Sequence, residues 1–304
     1  MTESMVSIKG LIKRYGSFTA VNGLNLEVCK GEVFGLLGPN GAGKTTTLEC
    51  LEGMRKADGG TLTVAGCDPQ SNARQLRSKL GVQLQSSSLP DSMRVDESIA
   101  LICAWHGITK DIELIKKFGI NELLKKQYKQ LSAGQQRRLH LVLALLNNPE
   151  VLILDEPTAG LDVQSRAQLH DEIRAIKKQG TTVLLATHDM AEAEELCDRI
   201  AIMIHGTMTV CGTPAQVTAA GSRETRVRLR TTKNSLLPGS DMNGAAFVQA
   251  NDGYLEWSCH DIASSVTEIL RRVQDADDTV EDLRVERPSL EERFLELVEG
   301  TEHK

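Results

Sequence analysis

A glycine-rich segment, Gly38–Thr45, most narrowly limits how this chain can fold. It follows an apolar run at Val33–Leu37, precedes a helical pattern at Lys44–Gly53, and matches the pattern G-x-x-x-x-G-K-[ST]. In that context the segment forms a tight turn between a buried strand and a helix, and its backbone N–H groups can surround an anion. The segment therefore predicts a strand-loop-helix unit of an α/β fold.

Other apolar runs indicate that strands and helices alternate along the chain. Each run is bounded by glycine, proline or charged residues, which is typical of parallel strands buried on both faces. These runs are Val151–Leu154, Val183–Ala186 and Ile200–Ile204. An earlier pair, Val6–Lys9 and Leu24–Val28, is expected to form an antiparallel flap with its turn at Tyr15 and Gly16.

The length of the chain and the pattern after Pro214 predict a second, smaller domain. At 304 residues the chain exceeds one average domain. Beyond a linker near Gly221–Arg223, strand-like segments are followed by two helical patterns separated by a further strand. We expect a large α/β domain over residues 1–220 and a small α+β domain over residues 221–304.

Composition argues against several classes of function. The net charge is −6 and aromatic residues make up 3% of the chain, so nucleic acid is not expected as a partner. The seven cysteines are scattered singly, which favours neither a zinc site nor a disulfide framework. The longest apolar run, Leu141–Leu146, is too short to cross a bilayer. Any membrane role is therefore expected to depend on a partner.

The glycine-rich loop is predicted to bind a nucleotide triphosphate. Lys44 would neutralise the β- and γ-phosphates, and the Thr45 hydroxyl would coordinate Mg²⁺. The predicted nucleotide-binding residues of this loop are Gly38, Pro39, Asn40, Gly41, Ala42, Gly43, Lys44, Thr45 and Thr46.

Two carboxylates end the strand at Val151–Leu154. A buried strand end carries acids at a cost in free energy unless something compensates their charge, and Mg²⁺ would compensate Asp155. Glu156 has no structural partner visible in the sequence. A carboxylate beside the γ-phosphate can orient or deprotonate a water molecule, so Glu156 is the predicted catalytic base.

Polar side chains also follow other predicted strands. His188 ends the strand over Thr182–Thr187 and can donate to a γ-phosphate oxygen, while Asp189 and Glu192 are predicted to form a capping box. Ligands of open parallel sheets gather at the carboxyl ends of the strands, which favours a role for His188. A structural role for this histidine is about equally consistent with the local sequence.

Three further residues are weaker candidates. Gln85 lies where a strand would end and could reach Mg²⁺ or its water, but Gln83 is an equally good candidate on local sequence alone. Tyr15 could stack on an adenine ring or simply pack in its turn.

The segment Leu131–Arg138 offers a second anion-binding helix start. Ser132 and Gln135 form an S-x-x-Q capping box before an apolar helix, so the free N–H groups of its first turn can bind an anion. This second helix start has no lysine of its own.

Together these segments resemble the nucleotide-binding subunit of ATP-binding-cassette (ABC) transporters. The family's motifs occur in the family's order: the A-loop at Tyr15, Walker A at Gly38–Thr45, the Q-loop at Gln85, the signature at Leu131–Gln135, Walker B ending at Asp155 and Glu156, the D-loop at Ala159–Asp162 and the switch at His188. The resemblance implies a P-loop NTPase core with an antiparallel β subdomain and a helical subdomain over about residues 86–150. It also implies ATP and Mg²⁺ as ligands.

The resemblance assigns roles that the local sequence leaves open. It implies a head-to-tail dimer in which Ser132, Gly134 and Gln135 of one subunit meet the γ-phosphate held by Lys44 of the other. It also implies that Gln85 is a ligand of the metal or its water. The usual signature reads L-S-G-G-Q, and this chain has Ala133 at the third position. Because Gly134 is kept, function is expected to survive.

The C-terminal region adds a finer resemblance. The small domain and the closing segment Pro288–Leu297 resemble the accessory region of drug- and antibiotic-exporter subunits. This implies an integral membrane permease as partner and a place at the cytoplasmic face of the cell membrane. The head-to-tail dimer implied by the family resemblance calls for a second nucleotide-binding subunit, for which an identical chain is expected and a different one is the alternative. For the whole chain, the alternatives are a soluble ABC ATPase without a transport role and a non-catalytic regulator. For the small domain, the alternative is a module that only regulates or stabilises a dimer.

Overall fold

The computed structural model describes residues 3–84, 89–221, 225–236, 238–239, 244–286 and 288–302. The chain divides into two compact units, Met1–Pro214 and Ala215–Lys304. The predicted boundary at residue 220 placed the helix Pro214–Ala219 with the first unit, whereas it groups with the second. The close packing beside Gly221 explains this, since a Cβ there would stand 3.1 Å from side-chain atoms of Arg293 and Glu296.

An antiparallel sheet of three strands opens the first unit. Its strands are β1 (Ser4–Tyr15), β2 (Phe18–Cys29) and β4 (Gly59–Val64), in the order β2-β1-β4. Tyr15 pairs with Phe18 where the first two strands meet. The predicted antiparallel flap is thus confirmed.

A six-stranded sheet forms the centre of the first unit. Its strands are β3 (Val33–Leu37), β5 (Leu80–Gln83), β6 (Val151–Asp155), β7 (Thr182–Thr187), β8 (Arg199–Ile204) and β9 (Thr207–Gly212). The order is β5-β6-β7-β3-β8-β9, and every neighbouring pair is parallel except β8 and β9. Every residue of β3, β6 and β7 is buried, as continuous apolar runs predict. The loops after these three strands therefore meet at one edge.

The helices of the first unit lie between its strands along the chain. They are α1 (Lys44–Leu51), α2 (Ala73–Arg77), α3 (Val95–His106), α4 (Ile112–Lys117), α5 (Ala133–Leu145), α6 (Val163–Lys178) and α7 (Met190–Leu196). Helix α5 packs so closely against β5 that a Cβ at Gly81 would stand 2.2 Å from the carbonyl oxygen of Ala144. The helices α3 to α5, with short 3₁₀ turns before α5, form the helical part expected from the sequence.

The second unit is a small α+β domain, as predicted. Its elements are α8 (Pro214–Ala219), β10 (Thr225–Thr231), β11 (Ala245–Asn251), β12 (Tyr254–Cys259), α9 (Ile262–Asp275), β13 (Val280–Glu286) and α10 (Leu290–Glu302). The strands form an antiparallel sheet in the order β11-β12-β10-β13. Trp257 is fully buried and packs in one cluster with Leu229 and Ile269, so this unit has a core of its own.

Candidate functional site

The loop between β3 and α1 holds the lysine of the predicted phosphate site. Gly43 has φ +100°, and a Cβ there would stand 2.5 Å from the carbonyl oxygen of Ala20, so only glycine fits this turn. Lys44 opens α1 and is buried, which lowers the pKa of its ammonium group. Its Nζ donates to the carbonyl oxygens of Gly38 at 2.6 Å and Pro39 at 3.3 Å.

The loop and Glu156 share one small cavity. This cavity has a volume of about 100 Å³ and is lined by the segment 39–46 together with Glu156. Within it, the Nζ of Lys44 lies 3.9 Å from Oε1 of Glu156. The fold thus brings together two groups that lie far apart in the sequence.

Asp155 ends β6 beside Thr45. The Thr45 hydroxyl donates to Oδ2 of Asp155 at 3.0 Å, whereas the buried Oδ1 has no hydrogen-bond partner among the described residues. Burial raises the pKa of the Asp155 carboxyl group. A hydroxyl beside a buried carboxylate oxygen fits Mg²⁺, which prefers oxygen ligands and would favour the ionised carboxylate.

Glu156 and His188 meet at the ends of adjacent strands. Oε2 of Glu156 lies 2.8 Å from Nδ1 of His188, and the backbone of Glu156 has φ +49°. A left-handed conformation is unusual for glutamate, and such strained backbone conformations cluster at active sites. The carboxylate is buried, whereas the imidazole side chain is 57% exposed. A carboxylate placed in this way can accept a proton from a water molecule in the cavity.

The helix start after His188 differs from its prediction in one bond. Asp189 caps α7 by accepting from the backbone N–H of Glu192 at 3.0 Å, as expected. The predicted capping box also requires a bond from the Asp189 N–H to the Glu192 side chain, and this part of the prediction is wrong. The Glu192 side chain instead turns inward and lies 3.5 Å from Nε2 of His170. Glu192 is the main cause that raises the pKa of His170, so a charged imidazole offsets part of the cost of burying the carboxylate.

The second predicted helix start forms as expected. Ser132 caps α5 by accepting from Gln135 N–H at 3.3 Å, and the Gln135 side chain accepts from Ser132 N–H at 3.1 Å. Ala133 is the exposed first residue of the helix, with a backbone conformation that any residue adopts. Its methyl group therefore needs no rearrangement. A Cβ at Gly134, in contrast, would stand 2.7 Å from Oγ of Ser165.

Comparisons with known proteins agree with this geometry. The ABC transporter family profile matches residues 21–159. The daunorubicin resistance ATP-binding protein DrrA3 of Streptomyces coeruleorubidus is 34% identical over 98% of this chain and 96% of its own length. This chain belongs to the ABC transporter family.

Other relatives place it among the ATP-binding subunits of that family. Nod factor export ATP-binding protein I of Burkholderia orbicola (strain AU 1054) is 39% identical over 70% of this chain and 72% of its own length. A solved ATP-binding subunit of an ABC transporter has a TM-score of 0.65 and 25% identity, covering 71% of this chain and 92% of that one. ATP hydrolysis is the general activity of this family. The resemblance and the P-loop fold predicted from the sequence are confirmed.

Two other ABC motif residues were predicted from the sequence, Gln85 and Tyr15, and the structure describes only Tyr15. Gln85 lies outside the described residues. Gln83, its alternative on local sequence, is buried in β5, and neither atom of its amide has a partner among the described residues. The Tyr15 ring is partly exposed and lies 5.5 Å from Nζ of Lys13 and 5.8 Å from Cζ of Arg55.

Sequence reasoning missed two charged residues of this ABC subunit. Glu52 follows α1, and both of its carboxylate oxygens are buried without a partner among the described residues. Burial, with smaller contributions from the charges of Asp155 and Glu49, raises the pKa of Glu52 to about 7. Arg166 donates to Asp189 at 2.9 Å. The only sequence pattern that could have indicated a buried Glu52 is its place at the end of a largely apolar helix face. No sequence pattern indicates the pairing of Arg166 with Asp189.

Proposed function

We propose that this ABC subunit hydrolyses Mg-ATP with Glu156 as the general base. The observation that carries the proposal is the cavity that the loop at 39–46 and Glu156 line together. Phosphates held by the loop N–H groups and Lys44 lie within reach of a water molecule beside Glu156. Thr45 and Asp155 would hold Mg²⁺, which would supply positive charge to neutralise the phosphates.

His188 and Gln85 complete the catalytic residues of this proposal. Nδ1 of His188 is engaged by Glu156 at 2.8 Å, which orients the ring and leaves Nε2 to meet the γ-phosphate. From the resemblance, Gln85 would contact the metal or its water, and Tyr15 would stack on the adenine ring.

The proposed working unit is a head-to-tail dimer of this chain. Ser132 caps the N-terminus of α5 and does not line the loop cavity. The first turn of α5 presents free backbone N–H groups. In the dimer, Ser132, Gly134 and Gln135 meet the γ-phosphate held by the partner subunit. The helix start supplies the N–H donors and the partner's loop supplies the lysine.

We further propose that the dimer drives export of drugs, antibiotics or other hydrophobic compounds. The relatives that support this are by name a daunorubicin resistance protein and a Nod factor export protein. No helix among the described residues is long and apolar enough to span the bilayer. A separate integral membrane permease, at whose cytoplasmic face this subunit binds, provides the path for the compound.

An apolar groove in the first unit supports a membrane subunit as the partner. The groove has a volume of about 420 Å³, and its lining includes Leu89, Ile102, Leu143, Met54 and Trp105. Met54 is 62% exposed and Trp105 is 70% exposed. Exposed apolar side chains around one groove mark a protein contact, and we assign it to a helical segment of the permease.

Co-purification tests this function directly. The tagged chain is expressed in its own host, membranes are solubilised, and the bound membrane protein is identified and assayed for compound-stimulated ATP hydrolysis. We expect a polytopic permease to bind the wild type and the Ile112→Glu control, which changes an exposed apolar residue outside the groove. The Trp105→Glu variant should lose it. Recovery of ribosomes or DNA-repair proteins in place of a membrane subunit would overturn the export proposal.

A further inference from the structure

Helix α7, which begins just after His188, is held in place by α6. Arg166 on α6 donates from Nη1 to Oδ2 of Asp189 at 2.9 Å. Asp189 is the residue next to His188 and the N-cap of α7. The ion pair therefore ties α6 to the point where the chain leaves His188.

Besides the helical bond from Ala193 N–H to its carbonyl oxygen at 3.2 Å, three hydrogen bonds that involve side chains fix the position of Asp189. Besides the bond from Arg166, its Oδ1 accepts from Glu192 N–H at 3.0 Å, and its own N–H donates to Oγ1 of Thr187 at 3.0 Å. Of these, the bond from Arg166 alone comes from another helix. Loss of that bond leaves α7 capped but removes its anchor beside His188.

A second set of contacts between the two helices lies further from His188. His170 on α6 places Nδ1 at 2.9 Å from Oε2 of Glu195, and Arg174 also pairs with Glu195. These contacts hold the far end of α7 and contribute to packing. Arg174 therefore provides a matched control for Arg166, since both are arginines of α6 that pair with carboxylates at the two ends of the α7 segment.

We propose that Arg166 is a positioning residue for ATP hydrolysis, which holds Asp189 so that His188 stays against Glu156. The proposal rests on the roles proposed above for Glu156 and His188. The side chains of Arg166 and Asp189 are 41% and 27% exposed, and such partly exposed pairs add little to folding stability. Small displacements of a catalytic group, however, cost much in rate. The pair matters for the reaction more than for the fold.

Steady-state ATP hydrolysis by the full-length chain tests the proposal. We expect Arg166→Ala to lower kcat about tenfold, as a misplaced catalytic group does, and to leave KM for ATP within about twofold. Arg166→Lys should recover part of the loss, because a lysine keeps the charge but not the planar geometry. Arg174→Ala should retain wild-type kcat.

A double-mutant cycle identifies the partner. Asp189→Asn keeps a good N-cap and removes the charge, so it should lower kcat as Arg166→Ala does, and combining the two should lower it no further. The proposal is overturned by unchanged kcat in Arg166→Ala, by independent losses in the double variant, by Arg166→Lys performing no better than Arg166→Ala, or by an equal loss in Arg174→Ala. Turnover retained by Glu156→Gln would instead overturn the proposed function on which this inference rests.

Discussion

The two units of this chain treat their buried charges differently. In the first unit, two buried groups at the carboxyl ends of neighbouring parallel strands, Oδ1 of Asp155 and the amide of Gln83, have no hydrogen-bond partner among the described residues. In the second unit, the buried Glu256 lies 3.0 Å from Arg226 and 3.7 Å from Arg228. Unpaired buried groups cost free energy unless a ligand engages them, so the two at these strand ends suit a binding site. The charge of Glu256, in contrast, is balanced by arginines of its own unit.

Relatives match different shares of the chain. DrrA3 matches 98% of this chain, whereas the Nod factor export protein matches 70% of it. Membership of the family therefore does not require a match to the whole chain. The second unit is expected to contribute stability or regulation that the hydrolytic step does not need.

Removing the catalytic base should have the largest effect. Glu156→Gln keeps the shape of the side chain but cannot accept a proton, so ATP hydrolysis should fall by about 10²–10⁴-fold while ATP binding persists. Size-exclusion chromatography with ATP should capture the closed dimer. Wild-type turnover in this variant would contradict the assignment of Glu156 as the general base.

Truncating the core of the second unit should affect stability instead. Trp257→Ala leaves a cavity in a small core and should cost about 3–5 kcal/mol in the free energy of unfolding of that unit. Thermal unfolding and hydrogen exchange should report the loss in residues 215–302, while ATP hydrolysis by the folded protein stays near wild type. An equal loss of hydrolysis at a temperature where both units are folded would remove the functional distinction between them.

Lys44→Ala tests the phosphate loop. The variant should lose about 10²–10³-fold in kcat/KM for ATP, since a charged donor aimed at the phosphates is removed. Nucleotide binding by fluorescence and turnover by phosphate release provide the two measurements. Lys44→Arg serves as the charge-matched control, and the burial of Lys44 predicts that this larger side chain also fails. Unchanged activity in Lys44→Ala would contradict the site.

Ala133→Gly should have the smallest effect. It restores the usual signature, but Ala133 already has a helical backbone and an exposed methyl group. Glycine at this helix position should cost no more than about 1 kcal/mol in stability and change ATP hydrolysis by less than about threefold. A large gain in activity would mean that the methyl group obstructs the dimer contact.

Local features were predictable from the sequence, and contacts between distant segments were not. The bounds of β3 were correct because a charged residue and a glycine enclose an apolar run, and the Ser132 cap was correct because it depends on four consecutive residues. The inward turn of Glu192 depends on His170, which lies on another helix. The pairing of Arg166 with Asp189 likewise follows from helix packing that no local pattern encodes.

The contact of Gly134 with Ser165 also limits which sequences can carry this fold. A Cβ at position 134 would meet Oγ of Ser165 at 2.7 Å and its Cβ at 3.1 Å. A larger residue at position 134 therefore requires a smaller residue at position 165, or a shift of the start of α5 away from α6. Substitutions at positions 134 and 165 are therefore coupled, and libraries that vary the signature should vary position 165 as well.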